Sequence, residues 1–125
     1  MEKQNVALVG LGRIGSTFLR AISGKQNRGV NLVCAVESSD TPGKAQAIAA
    51  GIKISTLNEL AAAGNKLDII FDLTGNPEVR KQLREQLAQN KNQHTVIAPE
   101  SVARLIWSLI SDDALPASEG RSTGY

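Results

Sequence analysis

Residues 6–15 read Val-Ala-Leu-Val-Gly-Leu-Gly-Arg-Ile-Gly. A short apolar run that ends in glycine predicts a strand entering a tight turn. Beyond the turn, Ile14, Phe18 and Ile22 recur at i, i+4 and i+8, on one stripe of a helix, and Gly24 supplies a stop. Strand, glycine turn and helix therefore follow one another without an intervening loop.

Outward from this unit the alternation continues. Val30–Val36 is rich in Val and Leu without polar alternation, as expected of a parallel strand covered on both faces, and Glu37 sits at its end. Thr41 and Pro42 fit N-cap and first helical position, and Gly51 closes that helix ahead of a short strand at 52–54. Thr56 and Glu59 have capping-box spacing for a brief helix ended by Gly64. A strand is expected over 67–73, broken by Thr74-Gly75-Asn76-Pro77, with Asn76 capping a helix to about Asn90 whose buried stripe is Val79, Leu83 and Leu87. A fifth strand is expected over 94–98, and Val102, Ile106, Leu109 and Ile110 mark a fifth helix.

Five strands alternating with five helices specify an α/β fold: a single doubly wound parallel sheet, Rossmann-like, in the order 3-2-1-4-5, because right-handed crossovers leave few alternatives. The domain is expected over residues 1–110, with 111–125, rich in Ser, Gly, Asp and Glu, reading as a linker-like tail.

Composition narrows the function. Of 125 residues, 42% are hydrophobic and 21% charged, with 14 basic against 12 acidic side chains, a globular and nearly neutral balance. One cysteine cannot form an internal disulfide, and no Cys/His cluster has metal-ligand spacing, so a reducing, cytoplasmic setting is expected. The N-terminus lacks the long apolar run of a signal peptide or membrane span. Scattered Lys and Arg with only four aromatic residues argue against a nucleic-acid partner.

The hexapeptide Gly10-Leu11-Gly12-Arg13-Ile14-Gly15 is weak evidence alone, but it follows a strand, opens a helix, and has Glu37 22 positions beyond its last glycine, at the tip of the second strand. That context points to a dinucleotide. Gly10 permits the turn, Gly12 has no Cβ and lets a pyrophosphate approach the backbone, and Gly15 lets helix and strand pack closely. The N–H groups of Leu11 to Ile14 are then expected to face the phosphates, aided by roughly half a positive charge at the helix start. Glu37 would accept the adenosine ribose hydroxyls and repel a 2′-phosphate, so NAD is favoured over NADP; no arginine follows Glu37, although Ser38 and Ser39 leave a small opening. The plain alternative is a tight corner beside a solvated carboxylate. Arg13 has two readings, against the pyrophosphate or solvated at the helix start.

VALVGLGRIG, Glu37 and FDLTGNP together resemble the N-terminal NAD-binding domain of the oxidoreductases that include homoserine dehydrogenase, the glucose-fructose oxidoreductase group and acetaldehyde dehydrogenase. The resemblance implies that Thr74 and Gly75 pass beside the nicotinamide half of the cofactor. The glucose-fructose oxidoreductase group carries Glu-Lys-Pro after strand five, where this chain has Ala98-Pro99-Glu100. The chain is also similar to small Rossmann-like domains attached to bacterial signalling proteins.

Other residues read more plainly. Cys34, within an apolar strand, should be buried and protonated. The single histidine, His94, falls at the sheet end opposite the ligand crevice. Asp72 either bonds neighbouring turn N–H groups or contacts the ligand. Trp107 falls off the Val102/Ile106/Leu109 face and is expected to be partly exposed, covered by the tail or forming a partner or homo-oligomer surface. With room for a cofactor domain only and no evident proton donor, the expectation is an NAD(H)-binding, cofactor-sensing or regulatory module without its own catalytic residues. The alternatives are the cofactor-binding part of an NAD-dependent oxidoreductase whose catalytic residues lie in a missing domain or another chain, and an interaction module that keeps the fold but binds another nucleotide or nothing.

Overall fold

The computed structural model describes residues 3–23 and 29–110; the expected stop at Gly24 and the tail over 111–125 lie outside them. The elements alternate strictly: β1 (Gln4–Val9), α1 (Arg13–Ser23), β2 (Val30–Val36), α2 (Pro42–Ala49), β3 (Lys53–Ser55), α3 (Leu57–Ala62), a 3-10 turn (Gly64–Lys66), β4 (Ile69–Asp72), α4 (Pro77–Gln89), β5 (Val96–Pro99) and α5 (Glu100–Ile110). The five described strands pair in parallel in the order β3-β2-β1-β4-β5, as the alternation predicts.

Alternate residues of each strand feed two cores. Val6 and Leu8 of β1 join Phe18 and Ile22 of α1, Ala47 of α2 and Ala103 of α5 on one face. Ala7 and Val9 join Leu60 of α3 and Leu83 and Leu87 of α4 on the other. Phe18 and Phe71 pack tilted across the first face with ring centroids 5.1 Å apart, a favourable aromatic geometry.

Local chemistry accounts for the departures from expectation. The β1–β2 register shifts between Val6 and Ala7, so Val6 faces Leu32 and Ala7 faces Cys34; Val33 is skipped and stands exposed although its strand is otherwise covered. The fifth strand starts at Val96 rather than His94, because the His94 and Thr95 N–H groups both donate to Asn92 Oδ1 and are lost to the ladder. The fourth is shorter than 67–73, since Leu67 closes the 3-10 turn through its N–H to the Gly64 carbonyl.

The reading of α5 needs correction. Glu100 and Ala103 are its buried residues, with Ile106 and Trp107 packed on the core, whereas Val102 is exposed and Leu109 is 77% exposed. Ala103 lets the helix axis approach the sheet closely, and 100, 103 and 107 share its stripe at i, i+3 and i+7. Trp107 thus lies on the packed side while staying partly exposed, as expected, and the Val102/Leu109 side is the outer one.

Candidate nucleotide site

The carboxyl ends of β1, β2 and β4 converge on the glycine turn, and backbone bonds hold it from both sides. Gly10 N–H donates to the Val36 carbonyl at 2.8 Å, and Leu73 N–H to the Val9 carbonyl at 2.8 Å. Gly10 has φ +96°, and a Cβ there would lie 2.9 Å from the Thr74 nitrogen. At Gly15 a Cβ would fall 1.9 Å from the Gly10 carbonyl oxygen, so α1 crosses the turn where no side chain fits. Gly12 is the opposite case: a Cβ there meets nothing within 4 Å. It borders open space, a crevice of about 860 Å³ whose walls include Arg13 and Ile14 from α1, Glu37 after β2, Thr74 and Asn76 after β4, and Lys44 of α2.

Glu37 is fixed by two backbone donors. Leu11 N–H reaches its Oε1 at 2.7 Å and Ser39 N–H its Oε2 at 3.0 Å. This corrects the expectation that the Leu11 amide faces a phosphate; it is committed to the carboxylate one strand away, a charge-assisted bond. An ionised carboxylate has about four acceptor positions, so Glu37 keeps capacity for two ribose hydroxyls.

The turn after β4 is built as firmly. Asp72 is fully buried and its Oδ1 accepts the Thr74 N–H at 3.1 Å and the Thr74 hydroxyl at 2.7 Å, the first of its two readings. Asn76 N–H donates to Thr74 Oγ1, Gly75 takes φ +66°, and Asn76 Oδ1 caps α4 by accepting the Glu78 N–H. Thr74 is thereby held at the crevice wall with Gly75 beside it.

Three contributions to the site escape the sequence reading, which places Thr41 only as a helix cap: its bond to Leu11, and the roles of Gly43 and Lys44. Thr41 caps α2 by accepting the Lys44 N–H at 3.1 Å, and its hydroxyl also donates to the Leu11 carbonyl at 2.9 Å. Gly43 packs so tightly that a Cβ would stand 2.3 Å from that carbonyl oxygen. Lys44 lines the crevice and pairs with the exposed Asp40 at 3.7 Å. A glycine in the first turn of a helix, where it lowers helix propensity, is the one signal that could have exposed the contact.

Other candidates fall away from the crevice. His94 lies at the amino end of the sheet, 2.6 Å from Asp68. Cys34 is buried, and desolvation pushes its thiol above the ordinary range, partly offset by a hydrogen bond with Ser55. Glu100 is buried and held by Arg104 Nε and Nη2, both at 3.1 Å. Among the described residues no cluster of His, Cys, Asp and Glu suits a metal ion, and no helix is long and apolar enough to cross a membrane.

An open glycine at a helix start, an oriented acid beside it and a crevice at the carboxyl ends of a 3-2-1-4-5 sheet fit a dinucleotide's diphosphate and ribose. Residues 4–99 match the family described as dihydrodipicolinate reductase, N-terminus. The chain belongs to this family. Like other members of the dihydrodipicolinate reductase N-terminal family it is a Rossmann-like NAD(P)-binding domain of the dehydrogenase type. No curated protein matches it. Among solved structures it is similar to S. aureus homoserine dehydrogenase, at 22% identity and TM-score 0.56 over 87% of this chain and 30% of that one. It is also similar to the homoserine dehydrogenase of Thiobacillus denitrificans, at 27% identity and TM-score 0.53 over 78% of this chain and 23% of that one. This member of the dihydrodipicolinate reductase N-terminal family thus spans less than a third of the length of those structures.

Proposed function

We propose that the chain holds NAD(H) for a reductase, with the pyrophosphate on the Gly10–Gly15 turn, the adenosine ribose on Glu37, and the nicotinamide half toward Thr74 and Gly75. The observation that carries this reading is the contrast at the turn: Gly10 and Gly15 have no room for a side chain, while Gly12 faces empty crevice. In this reading the Gly12 to Ile14 amides, Arg13 and the α1 dipole bind the diphosphate, and Leu11 acts indirectly by orienting Glu37. The preference for NAD over NADP rests on the Glu37 carboxylate, which would repel a 2′-phosphate. When bound, the nicotinamide supplies or accepts a hydride; this chain's residues position it and exclude water from one side.

Membership in a reductase family favours the oxidoreductase role over cofactor sensing alone. The sensing alternative needs only that the crevice hold the cofactor. Titration with NADH, read by energy transfer from Trp107, the only tryptophan, tests the binding claim. Saturable binding by the wild-type chain and its loss in Gly12→Val is the expected outcome; equal signals from both overturn it. Turnover of NADH with a panel of small hydroxy, keto and imino acids separates the roles, and turnover by the chain alone would overturn the reading that other residues complete the active site.

A further inference from the structure

We infer that Thr41 and Gly43, at the start of α2, are positioning residues that hold the phosphate turn in its binding conformation; this rests on the NAD(H) reading above. The Leu11–Gly12 peptide unit lies at the centre of the phosphate turn. It is trans and planar, so its carbonyl and its N–H point in opposite directions and turn together. The unit turns about Leu11 ψ and Gly12 φ, and Gly12, lacking a Cβ, leaves the second of these permissive, so local sterics only partly restrain its rotation. A rotated unit would present the Leu11 carbonyl oxygen to the crevice, where it would repel a diphosphate.

Two contacts from the start of α2 oppose that rotation at the Leu11 carbonyl, while Glu37 anchors the preceding Gly10–Leu11 unit. Glu37 Oε1 takes the Leu11 N–H at 2.7 Å, the Thr41 hydroxyl donates to the Leu11 carbonyl at 2.9 Å, and the bare α-carbon of Gly43 lies against the same carbonyl. With the carbonyl fastened toward α2, the Gly12 N–H is turned away from α2. A threonine hydroxyl has one proton to donate; here it goes to the Leu11 oxygen while the lone pair caps Lys44 N–H, so the seating of α2 and the setting of the turn depend on one side chain. Gly43 makes the approach possible, since a Cβ would stand 2.3 Å from the Leu11 oxygen and 2.9 Å from Ser16 Cβ. The diphosphate site is therefore preformed by contacts outside the glycine motif, which lowers the ordering cost of binding.

The test compares ligands that do and do not carry a diphosphate. Calorimetric titration of the full chain with NADH, ADP and adenosine is repeated for Thr41→Val, Thr41→Ser and Gly43→Ala. Thr41→Val and Gly43→Ala should weaken NADH and ADP about tenfold, the scale of losing one hydrogen bond to a charged group, while adenosine changes less than about twofold; Thr41→Ser, which keeps the hydroxyl, should match wild type. An equal loss for adenosine and ADP, the mark of a purely structural role, overturns the inference, as does wild-type ADP affinity in both weakened variants. Wild-type binding of NADH with unaffected variants defeats this inference alone, whereas absence of NADH binding by the wild-type chain defeats it together with the reading beneath it.

Discussion

The two ends of the sheet carry similar polar residues and use them differently. At the amino end, Asp68 Oδ2 accepts the Asn5 N–H at 2.7 Å, its Oδ1 meets His94 at 2.6 Å, Asn5 receives Asn31, and the Thr95 hydroxyl donates to the Leu67 carbonyl. Side chains there bond to one another and to strand ends, stitching β1, β2, β4 and β5 together. At the carboxyl end, Glu37 and Asp72 also accept backbone N–H groups, but the bonds shape loops around an open crevice instead of closing it. A parallel sheet has both ends available, and the helix N-termini favour anions only at the carboxyl end. The stitched end should govern stability alone, and the open end should divide into residues that fold it and residues that only bind.

The largest effect tests that division at Gly15. Replacement by alanine drives a Cβ to 1.9 Å from the Gly10 carbonyl, a backbone atom that cannot move aside cheaply. Overpacking of this kind costs about 1–3 kcal/mol, more where backbone must shift, so Gly15→Ala should lower the urea midpoint markedly and abolish NADH binding with it. A variant of wild-type stability would break the claim that α1 is pressed against the turn. Gly12→Val should do the reverse. Its Cβ meets no protein atom within 4 Å and the site is exposed, so the midpoint should hold within about 0.5 kcal/mol, while NADH affinity falls at least about tenfold for each amide hydrogen bond denied to the diphosphate. Loss of stability without loss of binding would place Gly12 on the folding side of the comparison.

Glu37 sits on both sides of the division, and charge separates its two duties. Glu37→Gln keeps an oxygen to accept the Leu11 N–H, so the fold should persist. Without the charge, the bonds to ribose hydroxyls weaken by about half and the repulsion toward a 2′-phosphate disappears, with Lys44 already in the same wall. NADH affinity should fall several-fold and the NADH/NADPH ratio of dissociation constants should narrow. An unchanged ratio in paired titrations would remove the ribose assignment.

These positions differ in how far the sequence discloses them. Strand order, the glycine turn, Glu37 and the Thr41, Thr56 and Asn76 caps are legible because each depends on local chemistry: periodicity, φ, or a side chain bonding two or three residues ahead. The destination of the Leu11 amide is not, because it is decided by a residue 26 positions away. The same holds for Gly43, whose reason is the approach of Leu11 and Ser16 in space. The face of α5 misleads for a related cause. Periodicity assigns burial to the largest apolar residues, but helix-to-sheet distance is set by the smallest, Ala103, and the stripe follows it. The β1–β2 bulge that expels Val33 has no mark in an unbroken apolar run.

The smallest effect belongs to the stitched end and is read by pH. The backbone bond from Asn5, followed by the bond to His94, holds the Asp68 carboxyl below the ordinary aspartate range. The sign follows from linkage: a carboxyl whose folded pKa is depressed contributes stability that is fully present above its unfolded value, near about 3.9, and is lost as pH falls through the folded value. Wild type should therefore lose urea resistance across that acidic window, while Asp68→Asn should start lower at neutral pH and show a flatter decline, the two curves converging at the acid end. NADH affinity at neutral pH should be the same in both, since Asp68 lies at the end of the sheet opposite the crevice. Parallel curves would mean that the Asp68 bonds add nothing to stability, and a changed NADH affinity would mean that the two ends of the sheet are coupled after all.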